Sequence, residues 1–325
     1  MRVGEHLNAA LHAVFERTPD LYLLGEDVAD PYGGAFKITR GLSTRFPGRV
    51  LTTPISENAI TGVAAGLALS GDRAIVEIMF GDFAALAFDQ VLNFASKSVS
   101  MYGTRVPMRM VVRCPVGGGR GYGPTHSQSL QKHFVGIPHL SLYELSPFHD
   151  CEAVLDEMLS LGEPCVLFED KVLYTRPAGL AEPPFCLAVE GGVARVFLDG
   201  PPDCVIIAPG GLAHRAMAAM RSLLVEEEIT CTLLVPSRLY PFDVAALDAD
   251  LPVAHVFVVE ESTGGGTWGA EVAHLLHRRH WDRLAGPVTL VHSAASIIPT
   301  AAHLEREVLV DESTIHRAIR ETLRG

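Results

Sequence analysis

"TTPISENAITGVAAGLAL", residues 52–69, sets a single carboxylate, Glu57, ahead of a run with almost nothing polar in it. Ser56 can cap a helix that starts there. A carboxylate in a helix's first turn is favoured by the macrodipole and the orphan N–H groups, by roughly 0.3–1 kcal/mol. That role is ordinary for a Ser-Glu pair, but the residues behind it are not. Gly62 and Gly66 lie four apart and so share a helix face, with Ala59 and Val63 beside them. Glycine inside a helix costs on the order of 1 kcal/mol relative to alanine. A helix tolerates that where another backbone or a ligand comes very close. Glu57 is therefore either a plain helix-start residue or a carboxylate beside a close approach.

Around this stretch, short buried-strand signals alternate with helical ones. The runs Leu21–Leu24, Ala74–Met79, Met108–Val112 and Cys165–Phe168 are apolar and bounded by Gly, Pro or charge, and longer segments of helical period, Asn58–Leu69, Phe83–Val99 and Cys151–Leu161, lie between them. The pattern predicts an α/β fold with a mostly parallel sheet covered by helices. Residues 176–202, "RPAGLAEPPFCLAVEGGVARVFLDGPP", break the rhythm and read as a linker. The alternation then restarts, with strands at 204–208, 230–235, 256–260 and 288–291 and helices at 213–227 and 269–278. We therefore expect a first domain over 1–176, a linker over 177–202 and a smaller α/β domain over 203–325.

A chain of 325 residues is comfortable for two cores. Its 48% hydrophobic and 20% charged content reads as well-packed and globular. A net charge of -12 argues against nucleic acid or an anionic membrane as the main partner. No stretch reaches about 18 uninterrupted apolar residues and no basic segment leads an apolar one at the start, so neither a membrane span nor a signal peptide is expected. Cysteines 114, 151, 165, 186, 204 and 231 are scattered without a C-x-x-C pair, as reduced structural thiols of a cytoplasmic protein would be.

Residues 115–129, "PVGGGRGYGPTHSQS", hold five glycines in seven residues and end on His126-Ser127-Gln128. No Gly-Lys-Ser/Thr opens a helix after them, which excludes a P-loop. His126 is either a surface loop histidine or a proton donor and acceptor carried by the loop to a cleft. His274, His277 and His280 recur every third residue, but Arg278 and Arg279 sit among them and no carboxylate or thiolate completes a ligand set, so they read as a solvent face. The triplet Gly264-Gly265-Gly266 reads as a strand-to-helix turn at an interface.

These pieces resemble a family. Glu57 followed by Gly62-Val-Ala-Ala-Gly66-Leu matches the E-x-x-x-x-G-Φ-x-x-G-Φ signature of pyrimidine-binding domains in thiamine diphosphate enzymes. "GEDV" (25–28), "TPISE" (53–57), "EIMFGDF" (77–83), "FDQVLNFASK" (88–97), "THSQS" (125–129), "LFEDKVLY" (167–174) and "VVEESTGGGTWGAEVA" (258–273) follow one template in order. Over nearly its whole length the chain is similar to beta subunits of the decarboxylating component of 2-oxo acid dehydrogenase complexes, of pyruvate, branched-chain or acetoin type. The resemblance implies a pyrimidine-binding domain followed by a transketolase C-terminal domain. Glu57 would then hydrogen-bond N1′ of the cofactor's aminopyrimidine, so that the cofactor's own nitrogen can take the thiazolium C2 proton. Phe83 would lie against the pyrimidine ring, with Ile55 and Met79 lining the same pocket. His126 would sit in the mouth of the channel and assist proton transfer to substrate or lipoyl group. A potassium ion held by backbone carbonyls near Met158, Leu161 and Glu163 is implied too, although "MLSLGEP" departs from the family's usual pattern there.

The diphosphate-and-magnesium signature of such enzymes, G-D-G followed by Asn, is missing: Gly71-Asp72 precedes Arg73, and Gly81-Asp82 precedes Phe83. The resemblance thus implies an alpha subunit that supplies diphosphate contacts and magnesium, in an alpha2-beta2 heterotetramer with thiamine diphosphate at the interface. The reaction implied is decarboxylation of a 2-oxo acid and acyl transfer to a lipoyl carrier on an acyltransferase partner. A carboligase or ketol transferase would use the same split site without lipoyl transfer, and a scaffold that had lost activity is the non-catalytic alternative. "GIPHLSLYELSPF" (136–148) and Leu86 depart from pyruvate-type members, so the sequence does not name the 2-oxo acid.

Overall fold

The structure, a computed structural model, describes residues 1–179, 181–251 and 255–324. The chain divides into two units. The first comprises Met1–Val116, Phe134–Leu145 and Asp150–Ala178, and the second Gly117–His133, Ser146–His149 and the chain from Gly179 onward.

The first unit runs α1 (Val3–Arg17), β1 (Leu21–Gly25), α2 (Leu42–Arg45), β2 (Val50–Thr52), α3 (Glu57–Leu69) and β3 (Arg73–Glu77). A helical run follows, built of α4 (Ala84–Asp89), a π-helical turn over Gln90–Ala95 and α5 (Ser96–Ser98). It is completed by β4 (Met110–Val116), β5 (Ser141–Glu144), α6 (Cys151–Ser160) and β6 (Cys165–Asp170). The strands lie in the order β5-β6-β4-β3-β1-β2, and every neighbouring pair is parallel. Every residue of β4, β5 and β6 is buried, which is why these strands read as continuous apolar runs rather than alternating ones. α1 turns Val3, Leu7, Leu11 and Val14 inward at helical spacing. α3 does the same with Glu57, Ile60, Thr61, Ala64, Ala65 and Ala68. Glu57 therefore begins the inward stripe of its helix, while Gly62, Val63 and Gly66 face away from it.

The second unit begins with β7 (Cys186–Glu190) and β8 (Val193–Phe197), then β9 (Cys204–Ile207), α7 (Ala213–Glu227), β10 (Cys231–Pro236) and the short β11 (Arg238–Tyr240). It closes with β12 (His255–Thr263), α8 (Trp268–His280), β13 (Thr289–Ser293), α9 (Ala302–Val308) and α10 (Glu312–Arg324). Its sheet has the order β13-β12-β9-β10-β8-β7, parallel from β13 to β10 and antiparallel at β8 and β7. Ile206, Leu233, Phe257, Ile315 and Ile319 belong to its own core.

Two features differ from the expected layout. The stretch read as a linker, 177–202, carries the β7–β8 hairpin, and its Leu180 lies outside the described residues. Residues 117–133, with the glycine-rich loop, pack with the second unit although they fall within the span expected for the first domain. Among the described residues no helix is long and apolar enough to cross a membrane.

Candidate active site

In the first unit β1 has β2 on one side and β3 on the other, so the chain reverses direction across the sheet at β1 and β3. In open parallel sheets the crevice outside the carboxyl ends of the strands at such a point is where ligands bind. Glu26 follows β1 directly, Glu57 opens α3 after β2, and Met79 and Phe83 follow β3. Gly25 makes this turn possible: a Cβ there would stand 2.8 Å from the Glu77 carbonyl oxygen and 2.8 Å from Val28 Cγ1.

Glu57 keeps 5% of its surface exposed. The Ala59 N–H donates to Ser56 Oγ at 3.4 Å, so Ser56 caps α3. Among the described residues no hydrogen bond or ion pair engages the Glu57 carboxylate. Its charged neighbour is Glu26, another buried acid. Burial, then the charges of Glu57 and Asp27, push the Glu26 carboxyl above the ordinary glutamate range. Two buried acids with no donor between them leave carboxylate oxygens open to a hydrogen-bonding ligand. An aminopyrimidine nitrogen that must share a proton with a carboxylate fits this arrangement.

Behind that pair lies a fully satisfied charge cluster. The Arg113 guanidinium, on β4, donates to Glu169 through Nε at 2.7 Å and Nη2 at 2.9 Å, and to Glu77 through Nη1 at 2.7 Å. The Tyr174 hydroxyl donates to Glu169 at 2.6 Å. Burial, opposed by Arg113 and reinforced by Glu169, raises the Glu77 carboxyl above its usual range. Burial next to Glu169 raises the Tyr174 hydroxyl as well. One guanidinium thus hydrogen-bonds both carboxylates across β3, β4 and β6, and one tyrosine hydroxyl adds a bond to Glu169.

The other sequence candidates separate. Met79 and Phe83 are half-buried beyond β3, Phe83 closing the single turn Gly81–Phe83. Ile55 is 80% exposed in the segment before α3. His126 lies in the second unit, half-buried, with Thr125 Oγ1 3.0 Å from its Nδ1. Its chain neighbours Pro124 and Gln128 line a cavity of about 540 Å³, together with Thr263, Gly264 and the aliphatic Ile297 and Ile298. Gly62 would bring a Cβ to 3.0 Å from Gln90 Oε1, whereas Gly66 faces open space. Close packing within this chain thus accounts for one glycine of the signature and not the other.

The carbonyls of Met158 and Glu163 both face the Cys165 thiol, at 3.7 and 3.6 Å. The Glu163 carboxylate pairs with Arg105 at 2.9 Å. The Cys165 thiol thus occupies one side of both carbonyls, a soft neighbour for a site that an alkali cation would fill with hard oxygens. The histidine trio is not a uniform solvent face: His274 is exposed, but His280 is buried and lies 3.0 Å from Asp248. Among the described residues no group of three or more His, Cys, Asp or Glu side chains could hold a metal ion.

Glu26, Glu77 and Glu169 lie within the quoted motifs but were given no role there, and Arg113 lies outside them. The available signal was position: each is a charged residue in or just after an apolar run, and a charge there is buried and therefore partnered.

The family model "Transketolase, pyrimidine binding domain" matches residues 1–177, and "Transketolase, C-terminal domain" matches residues 194–315. The "Pyruvate dehydrogenase E1 component subunit beta" of Chaetosphaeridium globosum is 30% identical over 98% of this chain and 96% of its own length. The mitochondrial counterpart of Saccharomyces cerevisiae is 31% identical over 99% of this chain and 89% of its own length. The "Acetoin:2,6-dichlorophenolindophenol oxidoreductase subunit beta" of Cupriavidus necator is 29% identical, covering 98% and 96%. Among solved structures, a "Split gene transketolase, inactive beta4 tetramer" superposes with a TM-score of 0.74 at 19% identity, covering 99% of this chain and 98% of that one, a likeness of fold. The chain belongs to the transketolase-like family, among the E1 beta subunits of thiamine diphosphate-dependent 2-oxo acid dehydrogenases.

Proposed function

We propose that this chain is the beta subunit of a thiamine diphosphate-dependent 2-oxo acid dehydrogenase, which decarboxylates a 2-oxo acid and passes the acyl group to a lipoyl carrier. The observation that carries the reading is Glu57: a buried carboxylate on the inward stripe of α3, beside the buried acid Glu26 and with no hydrogen bond or ion pair among the described residues. When bound, thiamine diphosphate supplies the nucleophilic carbon that the reaction requires. Glu57 holds a proton at the cofactor's N1′ through a hydrogen bond, in a setting that water reaches poorly. Phe83 and Met79 orient the pyrimidine from the β3 side, and the exposed Ile55 adds an apolar wall once a partner covers it. His126 gives or takes a proton at the substrate or lipoyl end, beside a cavity whose aliphatic and neutral polar lining suits an acyl or lipoyl arm.

The chain offers no diphosphate or magnesium signature, so an alpha subunit supplies both, and an alpha2-beta2 assembly follows. The outer face of α3 and α4 supports a partner there: Val63 is 55% and Leu86 58% exposed, beside the open Gly66. A cytoplasmic setting agrees with six cysteines that are all free. Purification with the matching alpha-type subunit, followed by a panel of 2-oxo acids with a lipoyl or dye acceptor, tests the reading. Acyl transfer without added aldehyde supports it. Carboligation in place of acyl transfer contradicts the lipoyl step, and turnover by this chain alone contradicts the split site.

A further inference from the structure

The glycine-rich loop is held by two buried acids of the second unit, Glu261, within the motif 258–273, and Glu305, outside every motif quoted above. Glu261, on β12, accepts from the Gly118 N–H at 2.8 Å and from Ser129 Oγ at 3.1 Å, and pairs with Arg215. Burial opposes its charge, but Arg215 and these donors outweigh burial and hold the Glu261 carboxyl below the ordinary range. Glu305, on α9, is 3% exposed. Its Oε1 accepts from the Gly119 N–H at 2.9 Å and its Oε2 from the Gly121 N–H at 3.3 Å. Among the described residues no cation pairs with Glu305, so the loop amides are its partners.

The loop's backbone is shaped for this grip. Gly119 and Gly121 have φ of 80° and 69°, which turns their N–H groups toward one acceptor, as in the nests that bind anions. Gly118 passes so close to α9 that a Cβ there would stand 2.2 Å from Leu309 Cδ1. A Cβ on Gly123 would likewise stand too close to Thr300, at 2.6 Å from Oγ1. The next turn carries His126, whose N–H donates to the Gly123 carbonyl at 3.4 Å.

We infer that Glu305 is a positioning residue: by accepting from Gly119 and Gly121 it fixes the glycine-rich loop and, through Gly123, the place of His126. The link to turnover rests on the role proposed above for His126, whereas the clamp itself does not. A glycine run that would otherwise sample many conformations is thereby held in one. Removing the carboxylate leaves two loop N–H groups without acceptors and frees the segment that contains Arg120, a trypsin site.

The test uses the full chain, reconstituted with its alpha subunit for activity. Glu305→Ala is expected to be cut by trypsin after Arg120 on the order of tenfold faster than the unaltered protein under native conditions. Glu305→Gln keeps one carbonyl acceptor and should fall between the two, and it decides the matter if Glu305→Ala does not fold. In turnover, Glu305→Ala should lower kcat with little change in KM, and should add almost nothing to the loss caused by His126→Ala. A folded variant cut at the unaltered rate overturns the clamp. Faster cutting with unaltered kcat overturns the link to His126. If His126→Ala itself leaves turnover intact, the proposed role of His126 fails, and the cutting rates still decide the clamp.

Discussion

Two groups of buried acids in the first unit are treated in opposite ways. Glu77 and Glu169 share one wholly buried guanidinium, Arg113, and a tyrosine hydroxyl, so their charges are answered from within the chain. Glu26 faces the charges of Glu57 and Asp27, and among the described residues no hydrogen bond or ion pair engages Glu26 or Glu57. A buried charge without a partner is expensive, and it persists where something outside the fold completes it. The first group is structure and the second is the one we propose as the site, and burial alone would not have told them apart.

Replacing Arg113 should produce the largest effect. Arg113→Leu leaves Glu77 and Glu169 buried without a cation, and breaking a buried pair in this way costs about 3–5 kcal/mol. Chemical unfolding followed by circular dichroism should show that loss, and a shift under about 1 kcal/mol would place the charge cluster outside the structural class. A smaller effect is expected at Glu26. Its folded pKa lies above its unfolded one, so the folded protein binds more protons and stability falls as pH rises from the ordinary glutamate range toward the raised value. Glu26→Gln should flatten that slope and leave the chain more stable at neutral pH. Unfolding curves from acid to neutral pH check both, and an unchanged slope would remove Glu26 from the unpartnered pair.

Most parallel strands were legible because strands buried on both faces write themselves as short apolar runs. β7 was not: four of its five residues are exposed and the fifth half-buried, which leaves no alternation, and its neighbours are prolines and glycines. The glycine-rich loop reads as mobile from its composition, yet Glu261 and Glu305 hold it from more than 130 residues away. Glu305 itself, in "AHLEREV", looks like one more solvent-facing charge. Glu57 and its glycines were visible through spacing, and the family signature extended that reading to the cofactor. The absence of any partner for Glu57 among the described residues is visible only once the chain is folded. The same holds for Cys165, which the local sequence does not mark as the group facing the Met158 and Glu163 carbonyls.

Glu57→Gln in the reconstituted complex, with turnover and unfolding measured on the same preparation, tests most directly whether Glu57 is held for the cofactor rather than for the fold. General acid–base work of this kind contributes about 10²–10⁴-fold. Turnover should therefore fall at least about 10²-fold, while the unfolding midpoint stays level or rises because an unpartnered buried charge has gone. Turnover within about threefold of the unaltered protein, or a loss of stability like that of Arg113→Leu, would contradict it.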